Sequence, residues 1–365
     1  MNQDKWDSMN NSPYNEDSIF LLLKLHNRSL VTDKGDTDMH NTRISPLVFG
    51  IYPGYISSNM TVPADDPVRI HEALECLQVS ASSFLVRGYV QYTSPLSPVK
   101  AGRAETPVAV EQYIREGRKL DLVLCFRQPD LDGWLTFIHE AIRRYGPLLS
   151  TLQITEEANV TTVAAVDGCI PRVREALVRG IIAAKEEVRS ADLDIQVGFS
   201  AALNFDPTDD FWPTIAALGG QPFLDALDYV GLDFFPDVFR PLASDGSPGD
   251  VRGSVASVLS HFRQVNMAAA NIPTTVPIHI TEHGWPTGPA RPYERQADVL
   301  EMVVRTIHEH RERLNITHYE HHALRDANSS DPDLFSQFGL LRDDYSPKPA
   351  FERYRQLIAK LGIER

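Results

Sequence analysis

Glu282 is followed three positions later by Trp285, near the end of Pro277-Ile278-His279-Ile280-Thr281-Glu282-His283-Gly284-Trp285-Pro286. The β-branched residues Ile278, Ile280 and Thr281, stopped by Gly284 and Pro286, read as a buried strand that ends abruptly in a loop. A carboxylate at the mouth of a strand beside an aromatic plate suits chemistry on a sugar. Its oxygen attacks the anomeric carbon while the sugar face stacks on the indole. A strand-end Glu that caps the next helix or pairs with an arginine is the plainer alternative, and this stretch alone leaves it open.

A second acidic cluster follows Leu152-Gln153-Ile154-Thr155: Glu156, Glu157 and Asn159. Two carboxyl groups facing each other about 5–5.5 Å apart are what retaining glycoside cleavage needs, one as acid/base and one as nucleophile. In a strand, neighbours point to opposite faces, so only one of Glu156 and Glu157 is expected to aim at the scissile oxygen.

Bringing residues this far apart together requires a fold that gathers strand ends. From Pro46 onward the chain has that rhythm. Strands are expected at 47–52, 83–86, 122–126, 152–155, 195–199, 229–235, 277–281 and 316–319. Helical spacing of apolar residues follows each of them: Ile70 to Leu77, Val110 to Ile114, Trp134 to Tyr145, Val173 to Val188, Phe211 to Leu218, Val251 to Phe262, Val299 to Ile307, and Phe351 to Leu361. Eight strands alternating with eight helices mark a (β/α)8 TIM barrel, an α/β fold in a single domain. An open doubly wound sheet also alternates, but no Gly-x-Gly-x-x-Gly occurs. The expected division is a polar arm over 1–43, rich in Asn, Asp and Ser, and a catalytic barrel over 44–365.

In a barrel the residues just after each strand converge on one face. Those residues are Tyr52 after the first strand, Arg87 after the second, Glu156, Glu157 and Asn159 after the fourth, and Asn204 after the fifth. Asp233 and Phe235 lie at the sixth, Glu282 and Trp285 at the seventh, and His321 and His322 at the eighth. Arg87 either pairs with Glu282 and keeps it ionised or forms a rim salt bridge. His318 and His322 share one strand face and His321 takes the other, which does not favour a metal site.

Composition narrows the partners. The 365 residues carry a formal net charge of −14, which disfavours nucleic acid and anionic membranes, since both reward basic patches. Cys76, Cys125 and Cys169 are odd in number and lack the short spacing of a zinc site. The apolar run Ile19 to Leu25 contains Lys24, is too short to span a bilayer and lacks a basic flank. The chain therefore reads as a soluble, cytoplasmic protein whose expected partner is a saccharide, and no cofactor or metal is implied.

Ile280-Thr281-Glu282-His283-Gly284-Trp285-Pro286 resembles the nucleophile strand of the retaining glycoside hydrolases built on (β/α)8 barrels, the clan of cellulases, β-mannanases and β-xylosidases. Gln153-Ile154-Thr155-Glu156-Glu157-Ala158-Asn159 is similar to its fourth strand, which usually ends Asn-Glu-Pro. Leu324-Arg325-Asp326, Phe338-Gly339-Leu340-Leu341 and Ser346-Pro347-Lys348-Pro349-Ala350-Phe351 are similar to its eighth strand and closing helix. The resemblance runs from about Pro46 to the C-terminus. It implies a double displacement on a β-linked glycoside, with Glu282 as nucleophile, Glu157 as acid/base, and Tyr52, Arg87, Glu156, Asn159, Asn204, Phe235, Trp285 and His321 as substrate-side residues. Three positions depart from the clan pattern: Glu156 stands for its Asn, Phe235 for a Tyr that hydrogen-bonds the nucleophile, and His321 for a Trp that floors the reactive sugar's subsite. A carbohydrate-binding barrel that has lost turnover is the alternative these departures keep in play.

Overall fold

A computed structural model of the chain describes residues 46–55, 62–79, 81, 83–93, 105–238 and 249–362. The polar arm expected over 1–43 lies outside the described residues. Eight parallel strands pair in chain order: β1 (Val48–Ile51), β2 (Phe84–Tyr92), β3 (Arg118–Phe126), β4 (Leu149–Ile154), β5 (Gln196–Ala202), β6 (Tyr229–Asp233), β7 (Ile278–His283) and β8 (Ile316–His321). β8 pairs with β1 from Val48↔His318 to Ile51↔His321, and β1 with β2 from Phe49↔Phe84 to Ile51↔Val86, so the sheet closes on itself. The fold is a (β/α)8 barrel.

The outward face of the strands is mostly apolar. Ile51, Val86, Leu122, Leu124, Leu152, Ile154, Val197, Phe199, Val230, Leu232, Ile278 and Ile280 are all buried in the main core, beneath the helices. The helices are α1 (Pro67–Gln78), α2 (Leu131–Tyr145), α3 (Val173–Ser190), α4 (Phe211–Ala226), α5 (Val251–His261), α6 (Tyr293–Leu314) and α7 (Pro349–Leu361). Aspartates stop three of them at the N-terminus: Asp66, Asp130 and Asp250 each accept backbone N–H groups of the first turn. Buried Lys348, just before α7, donates to Asp326 Oδ1 at 2.7 Å and pins the closing helix to the loop after β8. No helix among the described residues is long and apolar enough to cross a membrane.

Two expectations are corrected. Between β2 and β3 the described residues form a 3-10 turn, Val110–Tyr113, rather than an α-helix. Ala109 at φ 52° and Glu116 at φ 58° are left-handed and break the stretch on both sides of the turn. β2 also runs on to Tyr92, so Arg87 lies mid-strand, deep in the barrel, and not at its mouth.

The inward face is polar. Arg87, Asp121, Gln153, Ser200, Asp233, His279, Thr281, His318 and Glu320 are all buried. Two glycines make room for this filling. A Cβ on Gly50 would stand 2.8 Å from Glu320 Cγ, and one on Gly231 would stand 2.6 Å from Thr281 Oγ1.

Candidate active site

Glu282 would point away from the lumen if β7 alternated regularly. The β6–β7 register shifts between Leu232 and Asp233, so that Leu232 faces Ile280 while Asp233 faces Glu282. This extra residue leaves both Thr281 and Glu282 on the inner face, which is what a bulge does at a barrel rim. His283 takes the outer face, with Nδ1 2.6 Å from Tyr319 Oη.

Glu282 is 8% exposed. Its Oε1 accepts from Tyr89 Oη at 2.5 Å and from Arg87 Nη2 at 3.4 Å, and His322 Nδ1 lies 3.9 Å from Oε2. Burial pushes the carboxyl pKa up, but His322, Arg87 and the Tyr89 hydrogen bond outweigh it and hold Glu282 below the usual range. Burial lowers His322 against the pull of Glu282, whereas Arg87 carries its charge at any working pH. Arg87 itself is held by Asp121 through Nη1, by Gln153 Oε1 at 2.8 Å and by Tyr89 Oη at 2.7 Å. Arg87 reaches Glu282, and its principal ion pair, with Asp121, is deep in the barrel rather than at the rim.

Glu156 and Glu157 lie beyond the end of β4, where strand alternation no longer applies. The backbone on either side of Glu156 is left-handed, with Thr155 at φ 67° and Glu157 at φ 45°. For a β-branched residue such as Thr155 that conformation is costly, and strain of this kind gathers at functional sites. Glu156 Oε2 accepts from Arg127 Nη2 and from Cys125 Sγ at 3.4 Å. Burial raises Glu156 to about 7, against the pull of Arg127. No described residue donates a hydrogen bond to the half-buried carboxyl of Glu157. Burial first, then the Asp233, Glu282 and Glu156 carboxylates, push it well above its ordinary value.

Asp167 builds this turn. Its Oδ2 accepts from the backbone N–H of Phe126 and of Glu156, each at 2.8 Å, and its Oδ1 lies 3.1 Å from Arg127 Nη1.

The other sequence-derived residues divide. Tyr52 stacks on His322 with centroids 4.7 Å apart, and its hydroxyl lies 2.6 Å from Thr106 Oγ1. Asn159 clamps the end of β5, donating to the Ala202 carbonyl at 2.8 Å and accepting from its N–H at 3.0 Å. Asn204 faces α5: its carbonyl accepts from His261 Nε2 at 3.2 Å, and its side chain bonds Asp209. Phe235 is half-buried, its ring edge-on to Phe338 at 5.8 Å. Trp285 is only 3% exposed, with Arg291 4.6 Å from its ring centroid, so in this conformation it is packed as core. His321 turns outward to Tyr354 and His283; the histidine at Glu282 is its neighbour His322.

Sequence reading missed Tyr89, Asp121, Asp167 and the part played by Gln153. The signal for Tyr89 was alternation: it lies two residues from Arg87, on the same strand face. Tyr89 supplies to Glu282 the phenolic hydrogen bond that Phe235 cannot.

The fold and this cluster of buried carboxyls define a (β/α)8 barrel with a concentrated acidic mouth. Similar solved structures include a β-glucuronidase from Ruminococcus gnavus in complex with uronic deoxynojirimycin (14% identity, TM-score 0.53, 87% of this chain and 50% of that one). A family 39 glycoside hydrolase from Bacteroides cellulosilyticus WH2 is similar at 15% identity and TM-score 0.56, over 87% of this chain and 64% of that one. An uncultured Clostridium sp. β-glucuronidase follows at 13% and 0.52, over 87% and 50%. This chain spans about half the length of the β-glucuronidases. At these identities the likeness is one of fold. No protein-family model matches the sequence, and no curated protein matches it.

Proposed function

We propose that the protein is a retaining glycoside hydrolase acting on a β-linked glycoside. The observation that carries this reading is a carboxylate at the end of β7 hydrogen-bonded by Tyr89 and Arg87, with a second carboxyl, Glu157, beyond the end of β4; these partners favour the charged form of Glu282, and burial favours the protonated form of Glu157. In the first step a Glu282 oxygen bonds to the anomeric carbon as the bond to the leaving oxygen breaks, and Glu157 gives its proton to that oxygen. In the second step Glu157 takes a proton from water, whose oxygen displaces Glu282 from the anomeric carbon. Tyr89 and Arg87 orient the nucleophile and stabilise its charge. Glu156, fixed by Arg127 at the position of the clan's Asn, offers a carboxylate acceptor to a sugar hydroxyl.

The test is a panel of aryl β-glycosides, including a β-glucuronide because several fold neighbours are β-glucuronidases. Turnover by the wild type that is abolished in Glu282→Ala supports the reading. Sugar binding without turnover returns the protein to the binding-barrel class.

A further inference from the structure

β7, which carries Glu282, and β8, which leads to His322, run on into loops over 284–292 and 322–348. Between these loops, on the same end of the barrel as Glu282, lies a cleft of about 470 Å³ whose lining includes Pro289, Arg291, Tyr293, Glu294, Ser330 and Gln337. That volume is in the range of small-molecule sites. The two-carboxylate mechanism uses none of it.

The walls of the cleft are tied to each other. Gly288 and Arg291 exchange backbone hydrogen bonds at 3.0 and 2.9 Å and close a tight turn. Thr287 joins that turn to the facing loop, its N–H donating to the Gln337 carbonyl at 3.0 Å. Buried Lys348 donates to Thr287 Oγ1 at 2.9 Å and to the same carbonyl at 3.3 Å. A preformed cleft saves the cost of ordering its walls on binding.

The lining selects a ligand class. Tyr293 and Pro289 offer flat apolar surface, which suits the C–H face of a sugar ring. Arg291 and Glu294 carry opposite charges, so the cleft favours no net charge in its ligand. Arg291 is short of partners. Its Nη2 donates to the Asp237 carbonyl at 2.9 Å, and its buried Nη1 has no partner among the described residues. The Asp237 carboxylate is taken by Trp285 Nε1 at 3.3 Å and Arg295 Nη2 at 3.6 Å. Little therefore fixes the guanidinium over the Trp285 ring, and it is free to turn into the cleft it lines. Exposed Ser330 adds a hydroxyl. A neutral, hydroxyl-rich ring satisfies such a lining, whereas an apolar ligand leaves the donors unmatched and an anion meets Glu294.

We propose that this cleft is a second saccharide subsite, which holds a neutral sugar residue of an oligosaccharide away from the bond that is cut, Arg291 and Ser330 supplying hydrogen bonds and Tyr293 the stacking face. The inference rests on the glycosidase reading and deepens it: the substrate is a chain rather than a simple glycoside.

The probes are the neutral tetrasaccharides of β-linked glucose, mannose and xylose, each beside the aryl β-monoglycoside of the same sugar. Arg291→Met keeps the apolar stem over Trp285 and removes the donors. In it, kcat/KM for the tetrasaccharide divided by that for the monoglycoside should fall about tenfold. Ser330→Trp, at an exposed position, fills the cleft without removing a core contact and should lower the same ratio. General damage lowers both terms and leaves the ratio where it was; a ratio unmoved in both variants overturns the proposal. Calorimetric titration of the tetrasaccharides into Glu282→Gln needs no turnover. Binding there that Ser330→Trp weakens about tenfold supports the cleft. No binding, binding that Ser330→Trp leaves unchanged, or tighter binding of a glucuronate tetrasaccharide overturns it. A wild type that binds a tetrasaccharide in the cleft and cleaves no glycoside overturns the hydrolase reading alone. Turnover of monoglycosides with no gain from the longer chains overturns the subsite alone.

Discussion

Glu156 and Glu157 are adjacent in sequence and opposite in circumstance. Arg127 and Cys125 hold Glu156. Glu157 has no donor among the described residues and faces three carboxylates. A general acid needs a transferable proton; burial and the neighbouring carboxyls favour one on Glu157, while on Glu156 the bound Arg127 works against it. On an activated aryl glycoside, Glu157→Ala should still form the glycosyl-enzyme but stall in its hydrolysis, and azide should restore turnover. Glu156→Ala should weaken turnover without azide rescue; rescue of that variant instead would exchange the two roles. Tyr89→Phe addresses the nucleophile. Losing a hydrogen bond to a charged oxygen should lower kcat/KM about 10- to 100-fold. The acid limb of the pH profile should move to higher pH, because the Tyr89 bond stabilises ionised Glu282. An unchanged limb would mean the 2.5 Å contact is packing alone.

Two irregular stretches aim the carboxyls: the bulge in β7 and the left-handed turn after β4. Asp167 ties the turn to β3. Removing that carboxylate leaves the N–H groups of Phe126 and Glu156 unmatched and strips Arg127 of one of its two partners. Asp167→Ala should destabilise the protein by about 3 kcal/mol. Urea unfolding measures this, and a loss well below about 1 kcal/mol would show that water replaces the carboxylate at little cost.

Across the whole molecule, buried carboxyls in and around the barrel interior tie stability to pH. Asp233 is raised to about 8, Glu156 to about 7 and Asp167 to about 6, in each case chiefly by burial. Unfolded carboxyls titrate near about 4. Between that value and the raised ones the folded chain binds more protons than the unfolded one, so stability falls as pH rises. The contribution is fully present below the unfolded pKa and is lost through about pH 8. Thermal unfolding should therefore occur at a lower temperature at pH 8.5 than at pH 5.5, and Asp233→Asn should reduce the difference. Buried His279, His283, His318, His321 and His322 are lowered by burial and act in the opposite sense, so the Asp233→Asn comparison, not the sign of the wild-type change, tests the burial of Asp233. Deleting residues 1–43, a segment rich in Asn, Asp and Ser, should leave the melting temperature nearly unchanged. A drop of many degrees would show that Phe20–Leu25 contributes to the core.

Periodicity alone determined the barrel. Outward positions such as Leu122, Leu124, Val230 and Leu232 must be apolar to lie under helices, and that constraint writes a repeating pattern into the chain. It also showed that Glu282 and the Glu156-Glu157 pair follow inner-layer strands, and that His321 and His322 point opposite ways. Tertiary structure decided what depends on departures from regularity or on contacts between distant strands. A one-residue register shift brings Glu282 inward beside Asp233, two left-handed residues separate Glu156 from Glu157, and the extra length of β2 sinks Arg87 and sets Tyr89 against Glu282. Trp285 reads as an exposed plate in sequence because an indole beside a carboxylate fits a sugar, but only the packed chain puts Arg291 over its ring. Local pattern encodes which face a residue belongs to. Bulges, strand ends and ion pairs between strands far apart in sequence are settled by the balance of packing and charge across the closed barrel, and no local window contains that balance.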